Sequence, residues 1–319
     1  MPHVIVSVAW SNPTVVAAIS AVIAFLTTIL STPVRYYVDK RALVHKLRTE
    51  YEYEQRKELR QLIGHYHGRL VDAADAWHNR MENLYKHESE HPLDAHGNYE
   101  HPDYYFSTTV HRFLALTSLA RRFEAEAFFI DARIAEKNDV DFVRFVKAFR
   151  WLLTDLGLIE GLEYDAWQAR DHFLTDRFRV ICDASIPDGT LLTLTQFEER
   201  ALTDPVLEPA LQFFDGLRAD EPRLRWDRLV ALHLFVMAFL NVVGYEMQRS
   251  SGADLTRVVS QIRHPQIRAN LLGAIETLGL AGNQEGQRLA GALADAPNGP
   301  RSLRTVLRRG RKRPVLASR

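Results

Sequence analysis

Residues 13–34, PTVVAAISAVIAFLTTILSTPV, restrict the fold of this chain more than any other stretch, because no Asp, Glu, Lys or Arg precedes Arg35. At about 1.5 Å per residue, a helix of this length covers roughly 33 Å, which matches the hydrocarbon thickness of a bilayer. Its polar side chains are Ser and Thr hydroxyls, which can bond to carbonyls of their own helix. The run predicts a single membrane-spanning helix.

The charges on the two sides of this run predict its orientation. The first twelve residues contain no Lys or Arg, whereas Arg35, Lys40 and Arg41 follow the run with Asp39 as the only acid among them. The positive-inside rule then places the N-terminus outside and the rest of the chain in the cytoplasm, as in a single-pass protein of the cell (plasma or inner) membrane. A buried core helix and a cleaved signal peptide are the alternatives, but a signal peptide would need a positive n-region and a shorter apolar run.

Cysteine usage agrees with a cytoplasmic location. Cys182 is the only cysteine, so an intramolecular disulfide and a Cys-ligated zinc site are excluded. Cys182 lies in a helical pattern without a positioned base, which predicts a buried thiol rather than a nucleophile. Hydrophobic residues make up 46% and charged residues 25% of the chain, a balance that allows a sizeable folded core after the anchor.

A long helix is predicted directly after the anchor. From Tyr36 to Lys86 the chain contains no proline, and apolar residues recur at steps of three and four, close to the helical period. The pattern fits one juxtamembrane helix, or two nearly collinear helices with a break near Gly64 and Gly68. A helix of the same chain or of a second copy could cover this stripe, and its large aromatics favour the same chain. The stripe consists of Leu47, Tyr51, Leu59, Leu62, Tyr66, Leu70, Ala73, Trp77, Met81 and Leu84.

Residues 229–245 form the most apolar stretch of the remaining chain and contain no charge. They predict the central helix of a bundle, and a second membrane span is the alternative. His233, Met237 and Asn241 lie four residues apart on one face, where buried polar side chains are expected to be hydrogen-bonded parts of the core.

Other helices are predicted at 104–134, 141–156 and 164–181. Within the first of these, Glu124, Glu126 and Asp131 could be inward-facing ligands, but the pattern favours the solvated side of the helix. Thr195 with Glu198 resembles a capping box, and Asp204 before Pro205 resembles the start of another helix.

The fold predicted from these patterns is all-α, with an N-terminal single transmembrane helix followed by a cytoplasmic multi-helix bundle that contains a long juxtamembrane helix. The predicted domains are an extracytoplasmic N-terminus and anchor at 1–35, a cytoplasmic all-helical domain at 36–295, and a basic, disordered tail at 296–319.

One motif in the sequence could carry chemistry. His87, Glu88 and His91 spell H-E-x-x-H, and this five-residue pattern resembles the zinc-binding motif of the zincin metalloproteases. The resemblance implies that the two histidines hold zinc or another divalent metal while Glu88 acts as general base. His96 and His101 lie in the same polar loop and extend the set of candidate ligands for a non-catalytic metal site.

The context of this motif differs from that of the zincins. In that family the motif lies inside a buried helix with uncharged residues between Glu and the second His. Here Glu90 occupies one of those positions, and Pro92 biases His91 away from helical backbone angles. A solvated polar loop without a metal is therefore the favoured interpretation.

The C-terminal tail is strongly basic, since residues 301–319 hold eight Lys or Arg and no acid. Beside an anionic leaflet each such charge contributes up to about 1 kcal/mol of attraction, so the tail is predicted to contact the membrane surface. The alternatives are binding to nucleic-acid phosphates, contact with the acidic body of the protein, and a solvated tail without a partner. The tail has no aromatic for base stacking. The cations concerned are Arg301, Arg304, Arg308, Arg309, Arg311, Lys312 and Arg313, together with the juxtamembrane Arg35, Lys40 and Arg41.

The function predicted from these features is a membrane-tethered cytoplasmic helical module for interaction or sensing, without enzymatic activity and without a cofactor. Its expected partners are the lipid bilayer and a protein partner, or a second copy, bound through the long helix. The alternative is a membrane-anchored metal-dependent hydrolase that uses His87, Glu88 and His91.

Overall fold

The structure is a computed structural model that describes residues 13–87, 90, 92–100, 102–128, 130, 135–164, 171–221 and 223–295, apart from the side chains of residues 30–35. Within these ranges the chain is all-helical, as the sequence predicts, and contains no strand. The helices are α1 (Pro13–Lys86), α2 (Tyr104–Ala127), α3 (Lys137–Thr154), α4 (Thr175–Ala184), α5 (Leu194–Thr203), α6 (Glu208–Phe214), α7 (Arg225–Val243), α8 (Gly252–Val259), α9 (Pro265–Thr277) and α10 (Gln284–Asp295).

The chain divides into two units, residues 1–57 and 58–319. In the first unit, every described residue belongs to α1, and apolar side chains between Val15 and Ile29 are 43–67% exposed. The hydroxyls of Thr27 and Thr28 donate to carbonyls one turn earlier in the same helix, at 2.6 and 2.8 Å. This segment therefore satisfies those hydroxyls within its own helix.

In the second unit, other helices of the same chain cover the later part of the apolar stripe predicted for α1. Helix α1 continues without a break through Gly64 and Gly68, and its apolar residues from Leu59 onward are largely buried. The ring of Trp77 packs edge-on against Phe113 of α2 and Phe214 of α6, with centroids 5.6 and 6.2 Å apart. This part of the stripe is thus covered by the same chain, whereas Leu47 and Tyr51 in the first unit are exposed.

Helix α7 is the core helix of the second unit. All residues from Arg225 to Leu240 are buried, and α7 packs on α3, α8 and α10. Among the described residues, α7 is also the one helix long and apolar enough to cross a membrane, but 89% of its apolar window is buried by the rest of the protein. Burial on all sides is the arrangement of a bundle's central helix.

Two buried arginines fix the N-terminal half of α7. Arg228 donates to the carbonyls of Leu152 and Asp155, at 2.6 and 2.9 Å, and so joins α7 to the end of α3. Burial lowers the pKa of Arg228 to about 10, so this guanidinium stays charged at neutral pH. Arg225 makes two hydrogen bonds to the buried carboxylate of Glu221, at 2.6 and 2.7 Å.

Local details of the sequence prediction are wrong around α5. The capping box of α5 joins Thr193 to Gln196, two residues before the pair that the sequence suggested, Thr195 and Glu198. Asp204 ends α5 instead of starting a helix, because its carboxylate accepts the backbone N–H of Val206 and closes a turn.

The fourth helix is shorter than the sequence predicts. Helix α4 begins at Thr175 rather than near Tyr164, and residues 165–170 lie outside the described ranges. Cys182 on α4 is fully buried, as expected, and burial raises the pKa of its thiol to about 12. At neutral pH this thiol is protonated and inert, because the thiolate is the reactive form.

Candidate metal centre

Helices α1 and α7 bring three metal-ligating side chains together in the second unit. His78 and Glu82 lie one helical turn apart on α1, so both side chains leave the same face of that helix. His233 extends toward them from the buried middle of α7. One donor atom from each of His78, Glu82 and His233 lies within 4.8 Å of the other two.

Both ring nitrogens of His233 have partners. Its Nε2 lies 2.8 Å from Nδ1 of His78, and its Nδ1 lies 2.8 Å from the hydroxyl of Tyr85. A neutral imidazole carries one N–H, so the three groups form a chain of hydrogen bonds with two possible proton arrangements. In one arrangement Nδ1–H of His233 donates to the Tyr85 oxygen, and the lone pair of Nε2 then points to His78.

The electrostatics of the centre favour neutral imidazoles. Burial lowers the pKa of His233 well below its usual value, and the neighbouring His78 and Arg257 lower it further. Burial also lowers the pKa of His78, although the nearby carboxylates of Glu82 and Asp75 oppose this shift. Neutral imidazole is the form that binds metals, so neither ring has to lose a net proton at neutral pH, but a cation bound to both would replace the hydrogen bond between Nδ1 of His78 and Nε2 of His233.

Tyr85 orients His233 from the side opposite His78. Its ring packs edge-on against Trp226 with centroids 5.8 Å apart, and the Trp226 indole N–H donates to the carbonyl of Gln261 at 3.2 Å. Burial raises the pKa of Tyr85 well above its usual value, so the hydroxyl stays neutral. A neutral oxygen that accepts Nδ1–H is the kind of outer partner that metal-binding histidines have.

Glu82 carries the only negative charge among the three ligands. Nη2 of Arg257, on α8, donates to both carboxylate oxygens at 2.8 and 2.9 Å. The Glu82 side chain is 18% exposed and that of Arg257 is 44% exposed, so this edge of the centre is accessible from solvent. A divalent cation at the centre would compete with Arg257 for the carboxylate.

The polar loop at residues 87–101, the histidine loop, contributes none of its described residues to this centre. His87 is half-exposed, and its Nδ1 lies 3.0 Å from the carboxylate of Glu90. Glu88, His91 and His101 lie outside the described residues, so the H-E-x-x-H site stays a prediction.

The loop around His96 is held by a carboxylate from the end of α6. Asp215 accepts the backbone N–H groups of Ala95, His96 and Gly97 at 2.8–2.9 Å. It also accepts the hydroxyl of Tyr99 at 3.1 Å. The shape of this part of the loop is thus explained by hydrogen bonds to an acidic side chain.

The predicted membrane-facing cations are only partly described. Lys40 and Arg41 are exposed, and the Lys40 ammonium lies 6.0 Å from the ring centroid of Tyr36. The side chain of Arg35 and the whole tail from residue 296 lie outside the described residues. The tail arginines and Lys312 therefore stay predictions.

The sequence contained a weak signal for the centre. In the sequence His233 is a polar residue on an apolar helix face, but this pattern does not reveal its neighbours in space. His78 and Glu82 have the spacing of two ligands on one helix face, yet this spacing is frequent and gains meaning only when a third ligand from α7 is near. No family model, no curated protein and no solved structure matches this chain.

Proposed function

We propose that this protein is a membrane-anchored helical sensing module whose second unit binds one divalent cation, zinc before others, through His78, Glu82 and His233. The observation that carries the proposal is the approach of the three donor atoms to within 4.8 Å. Two imidazoles and one carboxylate are a ligand set that zinc accepts, with a fourth position left for water.

Cation binding at this centre has a consequence for helix α8. If Glu82 turns its carboxylate to the cation, Arg257 loses both hydrogen bonds that now join α8 to α1. The cation would replace this contact with a stronger link between α1 and α7. A change in the surface around α8 is therefore the output that we propose for the sensing module.

The anchor part of the proposal is supported by the first unit and by the sequence. The side chains between Val15 and Ile29 are apolar and exposed, and their threonine hydroxyls bond within the helix. Arg35, Lys40 and Arg41 follow this segment, and residues 1–12 contain no Lys or Arg. We propose that residues 13–34 span the membrane with the N-terminus outside, that the basic tail lies on the cytoplasmic leaflet, and that a protein partner or second copy binds the exposed stripe around Leu47 and Tyr51.

The metal proposal is tested by zinc titration of the full-length protein against a competing chelator. We expect one zinc per chain, and we expect His78→Gln to weaken binding by at least about 10–100-fold, the loss known for outer-shell partners alone. His87→Gln is the matched control, because His87 belongs to the separate H-E-x-x-H motif, and it should leave the affinity unchanged.

Two results would overturn this assignment. Equal zinc affinity in the native protein and in His78→Gln would exclude the centre. Loss of zinc in His87→Gln, together with a hydrolytic turnover that requires Glu88, would favour the hydrolase in place of the sensing module. Circular dichroism of each variant shows whether the bundle is intact.

The orientation is tested with single cysteines, because Cys182 is buried and should not be labelled. In intact cells a membrane-impermeant maleimide should label Ser11→Cys and should label Lys46→Cys only after permeabilisation. The reverse pattern would contradict the orientation, and labelling of both would contradict the span.

A further inference from the structure

A cavity of about 650 Å³ lies among α1, α2, α3 and α4, away from the candidate metal centre. Its charged wall contains four cationic side chains and one carboxylate. These residues are Arg121, Glu124, Lys147, Arg150 and Arg179. Arg150 is paired with Glu124 and Arg179 with Asp176, at 2.8 and 3.2 Å, so two net positive charges remain around the cavity when both carboxylates are ionised, an arrangement that attracts an anion.

Two side chains of this wall each contain a buried polar atom without a hydrogen-bond partner among the described residues. Nε of Arg121 is buried and has no acceptor, and Oε1 of Glu124 is buried and has no donor. The other oxygen of Glu124 accepts from Nε of Arg150 at 2.8 Å. Buried polar atoms are nearly always paired, so a ligand that reaches these two side chains could supply one acceptor to Arg121 and one donor to Glu124.

The remaining wall of the cavity is apolar. Leu59 of α1 and Val143 of α3 are buried beside it, and Ala125, Phe128 and Ile130 contribute further carbon surface. A cavity of about 300–1,000 Å³ is the usual size for an organic ligand, so an inorganic anion would leave most of this space unused. The ligand therefore needs an apolar part as well as a charged head.

We propose that this cavity binds a single-chain amphiphile whose anionic head group also carries a hydroxyl. The anion accepts from Nε of Arg121 and lies near Lys147 and Arg179. The hydroxyl donates to Oε1 of Glu124, and the chain lies against Leu59 and Val143. This site shares no residue with the cation centre, and the proposal does not depend on zinc binding at His78.

The proposal is tested with a photoreactive analogue of lysophosphatidic acid, which carries a phosphate, one hydroxyl and one acyl chain. The full-length protein is labelled in phosphatidylcholine nanodiscs, and labelled peptides are located by mass spectrometry. We expect labels within residues 121–130 and 143–150. Unlabelled lysophosphatidic acid should compete, whereas lysophosphatidylcholine and glycerol 3-phosphate should not.

The decisive variant is Arg121→Gln, which should fold because Nε of Arg121 has no partner to lose. Labelling of the two segments should fall about tenfold, the ratio expected for one charge-assisted hydrogen bond. Lys147→Gln changes an exposed side chain of the same wall and should reduce labelling by about threefold, as a more solvated charge does. Arg177→Gln is the control, because Arg177 is exposed on α4 and does not line the cavity.

Three outcomes would overturn the proposal. Absence of labels in the two segments, or equal labelling of the native protein and both wall variants, would exclude the site. Equal competition by lysophosphatidylcholine would show partition into lipid without head-group recognition. Competition by glycerol 3-phosphate alone would show a small-anion site without a place for the chain.

Discussion

Two apolar helical segments of this protein, residues 13–29 of α1 and helix α7, differ in how their polar groups are satisfied. In the first segment, threonine hydroxyls bond to carbonyls of their own helix. In α7, Arg228 bonds to the end of α3, His233 to α1, and Asn241 to Ser250 and to Glu285 of α10. An apolar helix that satisfies itself needs only an apolar medium, whereas α7 requires particular neighbours.

Hydropathy alone does not make this distinction. Helix α7 is long and apolar enough to cross a membrane, yet the protein covers almost all of it. Residues 13–29 form a shorter apolar helical segment than α7, and their side chains remain exposed. The partners of the polar side chains are therefore a better guide to the surroundings of a helix than its mean hydropathy.

The largest expected effect is that of an arginine in α7. Leu234 is completely buried, so Leu234→Arg places a charge without a partner in the core. We expect a loss of more than about 5 kcal/mol in the free energy of unfolding, or failure to fold. Chemical denaturation measures it, and Leu234→Met should cost less than about 1.5 kcal/mol. A stable Leu234→Arg protein would show that α7 is not a core helix.

The same substitution in residues 13–29 should affect insertion and leave the bundle folded. We expect Leu26→Arg to cost about 3 kcal/mol of insertion free energy, or roughly a hundredfold in the inserted fraction. Resistance to alkaline extraction from membranes measures this fraction, with Leu26→Ala as the control. Unchanged insertion together with an unfolded bundle would reverse the comparison between the two segments.

A smaller effect is expected from pH in the second unit. The pKa values of His233 and His78 are lowered by burial, so below about pH 6.5 the unfolded chain takes up protons that the folded chain does not. The free energy of unfolding should therefore fall as the pH decreases through this value. Thermal melts in the presence of a chelator measure it, and His233→Gln should reduce the slope. A flat profile would contradict burial of neutral imidazoles.

The smallest effect concerns the hydroxyls of the first segment. Thr27→Val and Thr28→Val each remove a hydrogen bond from the side chain to a carbonyl of the same helix. The free energy of insertion should therefore change by less than about 0.5 kcal/mol. The corresponding change in α7, Asn241→Leu, removes bonds to Ser250 and Glu285 and should cost about 1–3 kcal/mol of unfolding free energy. Extraction and denaturation assays measure the two effects. Equal free-energy changes in the two segments would contradict the distinction between polar groups satisfied within one helix and polar groups satisfied by neighbouring helices.

Much of the fold followed from the helical period. The long stripe predicted α1, and its buried members from Leu59 to Leu84 follow the expected spacing. The apolar run near 229–245 predicted α7. The start of α5 was wrong because Thr195 and Glu198 have the same spacing as the true pair, Thr193 and Gln196, and spacing alone cannot choose between them.

The candidate site was harder to predict, because its ligands are far apart in the chain. His78 and His233 are separated by 155 residues and meet only when α1 packs on α7. The H-E-x-x-H motif is contiguous and so is visible in the sequence. A pairing between helices leaves no local pattern, which is why the structure was needed to bring His78, Glu82 and His233 together.

Asp215 accepts four hydrogen bonds from residues 95–99, and these contacts bear on the order of folding. His96 and Gly97 have left-handed backbone angles, φ 53° and 75°, which help to direct neighbouring N–H groups to one carboxylate. That carboxylate comes from about 120 residues later in the chain. Contacts of such sequence separation form only after a large loop has closed. We therefore expect residues 95–99 to acquire their native shape late, because a nascent chain that ends before Asp215 does not contain the group that orders them.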